Sequence, residues 1–260
     1  MSEFVPAASR AIPRSAGELA EALARTNRSL RAAIGRWVAG GEPSPPRPPG
    51  DVVLLSLYQQ RIYRLLARDD VLARRTLPLL PPGVAGPAAA NIGAARELFT
   101  LISPVRTGFV LHVQRPAPPG RLLGFFHEAE RRFGVDWQLL AAVMLVESKF
   151  GRTRSASTAG AQGPMQFVPS TWAAYGLGGD VHDPHDAILG AANYLHASGA
   201  PQAERRALFA YNHAAAYVDA VETYADEMRR DPRAYFAYYN WQVFLVTVAG
   251  DRRLTGPGRS

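Results

Sequence analysis

Residues 139–151 read LLAAVMLVESKFG: eight apolar side chains in succession, then Glu147, Ser148, Lys149, Phe150 and a glycine. With WQ before it, the run gives a helical body that is apolar on every side. Such a helix belongs in the centre of a domain, not on its surface. Asp136 stands where a capping residue would start it. Glu147 then emerges in the last turn, where the helix dipole presents its negative end and acids are disfavoured. Burying that charge without compensation costs several kcal/mol. Both effects raise the proton affinity of the carboxyl, which is how a carboxylic acid is kept protonated near neutral pH for general acid catalysis. Lys149 offers no obvious relief, because residues two apart on a helix do not face each other. The competing reading is a glutamate that escapes to solvent at a frayed helix end.

Outward from this stretch the pattern is helical, with period-3.6 apolar spacing and no convincing period-two alternation, so we read an all-α fold. A first helix spans roughly Ala16 to Val38, with Leu19, Leu23, Leu30, Ile34 and Trp37 on one side. Arg25, Arg28, Arg31 and Arg36 lie largely on the other, as a solvated basic face. The break GGEPSPPRPPGD, residues 40–51, is the strongest linker signal, since neither Gly nor Pro continues a helix. Helices are expected at about 52–68 and 88–102, separated by PLLPPGVAGP, and a second break, RPAPPG, ends at Gly120. The division expected is an N-terminal helical region over 1–118, a compact helical domain over 119–230, and an aromatic-rich C-terminal helix and tail over 231–260. That last part packs six aromatics between Tyr235 and Phe244. A core-covering helix explains them better than an exposed stacking platform.

Composition sets bounds. The chain has 260 residues, 47% of them apolar, enough for a real core. A formal charge of +7 rests almost wholly on arginine, because Lys149 is the only lysine. Anionic partners are favoured, but the arginines are dispersed along the chain, which argues against a nucleic-acid partner. Without cysteine there is no disulfide, thiolate nucleophile or Cys-based metal site. The opening MSEFVPAASRAIPRSAGELA reads as neither a signal peptide nor an anchor, and no stretch reaches the ~20 apolar residues of a spanning helix.

After Glu147 comes SASTAGAQGPMQFVPSTW, where Gly160 and Gly163 flank a small-residue loop leading to Met165, Gln166 and Phe167. Glycines at this spacing let backbone approach backbone or ligand closely and expose amide donors that suit an acetamido group. A short helix is expected from Ser170, with Trp172 and Tyr175. In DVHDPHDAILGAANYL the cluster Asp180, His182, Asp183, His185 and Asp186 invites a metal reading. Asp183 before Pro184, with an acid three residues on, is better read as a helix cap. The helix it begins carries Ala187, Ile188, Ala191, Tyr194 and Leu195 on its inner side. Tyr211 and Asn212 end a further helix, and Tyr217, Val221 and Tyr224 mark the next. Tyrosine, asparagine and glutamine suit a neutral sugar, although tyrosines at helical spacing are ordinarily core.

Taken in order, Glu147-Ser148, Ser157-x-x-Gly160-Ala161-x-Gly163-x-Met165-Gln166 and Ala210-Tyr211-Asn212 resemble the soluble lytic transglycosylase family, relatives of goose-type lysozymes. The resemblance covers about residues 119–230. It implies a lysozyme-like α-fold and cleavage of the β-1,4 bond between N-acetylmuramic acid and N-acetylglucosamine in peptidoglycan. No metal or other cofactor is implied. Glu147 matches the family's single acid/base, Ser157 a position contacting the acetamido group, and Met165, Gln166, Tyr211 and Asn212 positions lining the cleft. Gly160 and Tyr194 join them as expected substrate contacts. Hydrolysis by a second acid, Asp180 or Asp183, and a non-catalytic wall-binding module are the alternatives. Pro164 stands where leucine is usual after the second glycine, and Ala214 where the family often has glycine. The substrate implies a place in the cell envelope or outside the cell, and the positive charge suits anionic wall polymers and peptide carboxylates.

Overall fold

The computed structural model describes residues 4–41, 43, 45–106, 108–157 and 159–258. Glu42 and Ser44 of the first Pro-rich break, and Thr158 of the glycine loop, lie outside them. Eleven α-helices run in chain order among the described residues: α1 Ala16–Trp37, α2 Gly50–Arg68, α3 Asp70–Thr76, α4 Pro82–Thr100, α5 Pro119–Phe133, α6 Trp137–Ser148, α7 Pro169–Tyr175, α8 Pro184–Ala197, α9 Glu204–Tyr211, α10 Ala215–Arg230 and α11 Arg233–Tyr239. A hairpin of β1 Phe244–Thr247 and β2 Gly250–Arg253 follows. The fold is all-α, with this one small sheet among the described residues.

Helix α6 is the hub. Leu139 through Leu145 are fully buried, with α5, α8, α10 and α11 packed around them. An apolar surface on every side of a helix has no solvent-facing option, so its neighbours assemble against it. Its start corrects the expectation for Asp136. That side chain makes no capping bond; its carboxylate accepts from Arg229 Nε and Nη2 at 3.1 and 2.9 Å. Glu130 caps instead, accepting from the Trp137 amide at 3.2 Å. Asp183 does cap α8, through bonds from the His185 and Asp186 amides, with Pro184 in the first turn.

The N-terminal helices pack onto this body: α4 lies along α10 and α2, and α1 along α2 and α11. A buried amide pair ties α2 to the chain end, Gln60 Nε2 donating to the Gln242 carbonyl at 2.9 Å and the Gln242 amide to Gln60 Oε1 at 2.8 Å. Two element boundaries differ from the expected ones. Helix α4 starts at Pro82, inside the stretch read as a separator, because a proline in the first turn gives up no helical hydrogen bond. The aromatic segment after Arg233 is helical only to Tyr239, and Phe244 begins a strand. Its rings are core: Tyr235, Phe236, Tyr238, Tyr239 and Trp241 are all buried.

Candidate active site

Helix α6 ends in a way few sequences announce. The Lys149 amide bonds the Leu145 carbonyl as the last helical bond and the Phe150 amide reaches back six residues to the Met144 carbonyl, at 3.2 and 3.1 Å, a nested pair that turns the chain back over the final helical turn. That stop needs a left-handed residue, usually glycine. Here Lys149 (φ 54°) and Phe150 (φ 59°) adopt it, ahead of Gly151 (φ 81°). Non-glycine residues in this region cost about 1–2 kcal/mol each. The strain is held by Phe150, fully buried against Tyr235 and Tyr239, and by Ser148. The Ser148 hydroxyl donates to the Pro164 carbonyl at 2.5 Å and accepts from the Gly151 amide at 2.7 Å. The end of α6 is thereby fastened to the glycine loop.

Glu147 sits on this fastened end, partly buried, and accepts a hydrogen bond from the Tyr217 hydroxyl of α10 at 2.7 Å. Burial pushes its carboxyl from 4.5 up to about 7, against smaller opposing effects of the Tyr217 bond and the Lys149 charge. A carboxyl at that value is divided between acid and base near neutral pH, the condition for serving as each in turn. Lys149, expected not to face Glu147 for pairing, still acts on it through charge. Having left the helix, it is close enough for its charge to act on the carboxyl, while its Nζ donates to the Leu145 carbonyl at 2.8 Å. Burial and the Arg64 charge lower its own value to about 8. Tyr217 moves the other way, well above the ordinary tyrosine value through burial and the Glu147 charge, and stays a donor.

Because the Tyr217 bond stabilises the carboxylate, Tyr217→Phe should raise the Glu147 value further. The alkaline limb of the activity profile then moves to higher pH, while the fold, assayed by circular dichroism, is unchanged. A limb that stays in place would show the bond to be without effect on the acid.

The glycine loop turns back on itself. Gln162 and Phe167 exchange backbone bonds at 2.8 and 2.9 Å, and the Gln166 side chain (φ 51°) closes on the Gly163 carbonyl at 2.9 Å. Gly163 touches the Val181 backbone, as the expectation of close approach requires, whereas Gly160 faces open space and needs glycine only for its φ of 79°. The Ser157 hydroxyl, exposed, accepts from the Ala159 and Ala161 amides at 3.2 and 3.1 Å, which leaves its own proton to donate. Met165 is fully buried, so it offers the cleft no side chain, and its carbonyl accepts from the Tyr211 hydroxyl at 2.7 Å.

Tyr211 is the junction of the site. The Glu147 charge reaches it, and its ring is 5.8 Å from Phe167 and 5.6 Å from Tyr194. Tyr194, donating to the Ala210 carbonyl at 2.8 Å, continues to Tyr175 at 4.7 Å. These partly exposed rings form an aromatic shelf suited to a sugar face. Asn212 is half-buried at the end of α9. The structure thus joins Glu147, Met165, Tyr194 and Tyr211 through a direct bond, ring contacts and charge, while, among the described residues, Gln166 bonds only within its own loop. Ser157 and Gly160 belong to the adjoining loop.

Sequence reasoning missed three contributors. Tyr217 carried only a core-like spacing, and Ser148 was noted without a role. The third is a wall: a pocket of about 200 Å³ against Val146, Glu147 and Lys149 is closed by Leu98 and Phe99 of α4, by Leu111 and by Phe244. Asp183, His185 and Asp186 bring their ligand atoms within 4.8 Å of one another, but each is already engaged. Asp183 caps α8, His185 Nε2 lies 3.1 Å from Glu128, and Asp186 accepts from the Asp180 amide at 2.9 Å.

The candidate site is thus a central apolar helix ending in a carboxyl of raised proton affinity, beside a glycine loop and an aromatic shelf. Residues 124–232 match the family model described as Transglycosylase SLT domain, in keeping with the soluble lytic transglycosylase family of the lysozyme-like superfamily. The match supports a transglycosylase-type action on peptidoglycan. Comparison with curated proteins and with solved structures finds no match.

Proposed function

We propose that the protein is a peptidoglycan lytic transglycosylase with Glu147 as its single acid and base. The observation that carries this reading is the Glu147 carboxyl, raised to about 7 by burial and held by Tyr217. As acid it gives its proton to the glycosidic oxygen between N-acetylmuramic acid and N-acetylglucosamine, and the bond from that oxygen to the anomeric carbon breaks. The sugar's acetamido oxygen stabilises the cationic centre, a substrate-assisted route that needs no second carboxylate. As carboxylate, Glu147 then takes the proton of the C6 hydroxyl while that oxygen closes on the anomeric carbon. The product is a 1,6-anhydro-muramoyl end, the acid is regenerated, and no water is consumed. The spare Ser157 proton suits the acetamido carbonyl, Gln166 and Asn212 suit hydroxyls, and Tyr194 and Tyr211 suit ring faces. Asp180 and Asp183, the candidates for a hydrolytic second acid, spend their carboxylates on local turns, on the His182 amide and on the α8 cap. The substrate places the protein in the cell envelope; no helix among the described residues is long and apolar enough to cross a membrane.

Mass analysis of digested peptidoglycan tests the reading. Anhydro-muramoyl ends, lighter by one water than reducing ends, are expected. Reducing ends alone would replace it with hydrolysis, and intact strands bound without turnover would replace it with a wall-binding module.

A further inference from the structure

The charge of the chain is unevenly divided. Residues 1–118 carry 15 arginines against eight acids, a net +7, whereas residues 119–230 carry ten basic and twelve acidic side chains, a net −2. Much of the positive charge therefore belongs to the N-terminal region. Arginines dispersed in sequence also gather in space. Arg61, Arg64 and Arg68 stand at i, i+3 and i+7 on α2 and so share one helix face. With Arg14 they line an open cavity of about 390 Å³. One acid answers them: Asp251 of β2 accepts from Arg64 Nε at 2.8 Å and from Arg68 Nη2 at 2.6 Å. Arg61 donates to the Ala8 and Arg10 carbonyls at 3.3 and 2.8 Å. Four guanidinium groups to one carboxylate leave a local excess of positive charge, and the planar guanidinium fork matches phosphate oxygens. The other walls, Ile12, Leu65 and Phe244, are apolar.

A second observation adjoins the first. The hairpin that supplies Phe244 and Asp251 ends in Val248, 69% exposed. Val105 pairs with its turn, donating to Val246 and accepting from the Val248 amide at 2.9 and 3.2 Å. Beyond Val105 in the chain, Val110 is 67% exposed and Phe109 43%, with Arg252 reaching the Phe109 carbonyl. An exposed apolar tip on the hairpin that carries the cavity's carboxylate marks an interaction surface.

We propose that this face docks on an anionic lipid bilayer, a headgroup phosphate entering the arginine cavity while Val248 at the hairpin tip sits in the headgroup layer. Charge complementarity selects an anion, and the apolar tip selects a bilayer over a soluble polyanion, which would leave it in water. The proposal stands independently of Glu147 chemistry.

Sedimentation of the full chain with vesicles tests it, comparing phosphatidylcholine alone with a mixture containing one-quarter phosphatidylglycerol. Association is expected only with the mixture. Arg14→Gln with Arg68→Gln should weaken it about thirty-fold, from roughly fivefold per arginine at a membrane surface. Val248→Asp should weaken it separately. All three substitutions should leave circular dichroism and peptidoglycan turnover unchanged. Equal binding to both vesicle types overturns the proposal, as does no binding to either. So does a soluble polyphosphate competing fully while Val248→Asp binds like wild type, which would make the cavity a soluble-anion site.

Discussion

Glu147→Gln is expected to lower peptidoglycan turnover by about 10³-fold, the scale of losing a positioned acid and base, and to make the protein harder to unfold at pH 8. The two effects share a cause. In an unfolded chain the carboxyl ionises at its ordinary 4.5, but in the fold burial holds it protonated up to about 7. The folded state therefore binds the extra proton between these values, and stability falls as pH rises through that window. Below 4.5 there is no cost; above 7 it is complete. A rise of that size corresponds to about 3 kcal/mol between the protonation states, and partial exposure of the side chain reduces it to about 2. Glutamine keeps the shape and can still accept from Tyr217 while removing the charge. The variant should thus melt several degrees higher at pH 8, at about 2–4 °C per kcal/mol for a chain of this size, and equally with the wild type at pH 4. Equal melting at both values would mean a well-solvated carboxylate, and the case for Glu147 as a high-affinity acid would fall with it. Turnover that survives the substitution would remove its catalytic role.

How much of this was readable in advance follows from the range of the interactions. Helix α6 and its acid were legible because eight consecutive apolar residues admit no other placement, and the α8 cap was legible because Asp183-Pro184 acts within one turn. The Asp136 cap was misjudged for a long-range reason: Arg229, 93 residues away, draws the carboxylate off the helix end, and Glu130 takes over. The Tyr217 bond, spanning 70 residues, has no local signal at all. Nor has the stop at Lys149 and Phe150, since a positive φ is read from glycine or asparagine and neither is present. The short hairpin lies behind the aromatic run of α11, where periodicity cannot separate a buried strand from the end of a helix. The pocket wall from α4 and Leu111 could not be seen either, because the Pro-rich breaks said that helices end and nothing about where they pack.

The glycine loop supplies the largest expected effect on the fold. At Gly163 a Cβ would stand 1.9 Å from the Val181 carbonyl oxygen, and φ is already +73°. Neither neighbour can yield cheaply: the contact is backbone, and the loop is tied on both sides, by the Gln162–Phe167 pair and by Ser148 bonding the Pro164 carbonyl. Left-handed backbone costs alanine about 1–2 kcal/mol, and forcing the carbonyl away adds about 1–3 more. Gly163→Ala should therefore lose about 2–5 kcal/mol and melt roughly 4–20 °C lower. Gly160→Ala is the matched control. It has a similar φ of +79° but nothing within 4 Å of the added carbon, so it should lose only about 1–2 kcal/mol. Turnover should separate the pair as well. Moving Gly163 displaces the Gln166 side chain that closes on its carbonyl and the Met165 carbonyl that holds Tyr211, so residual folded protein should show weakened substrate contacts. Equal destabilisation of the two variants would show that the Val181 contact is soft, and that φ alone requires glycine at position 163.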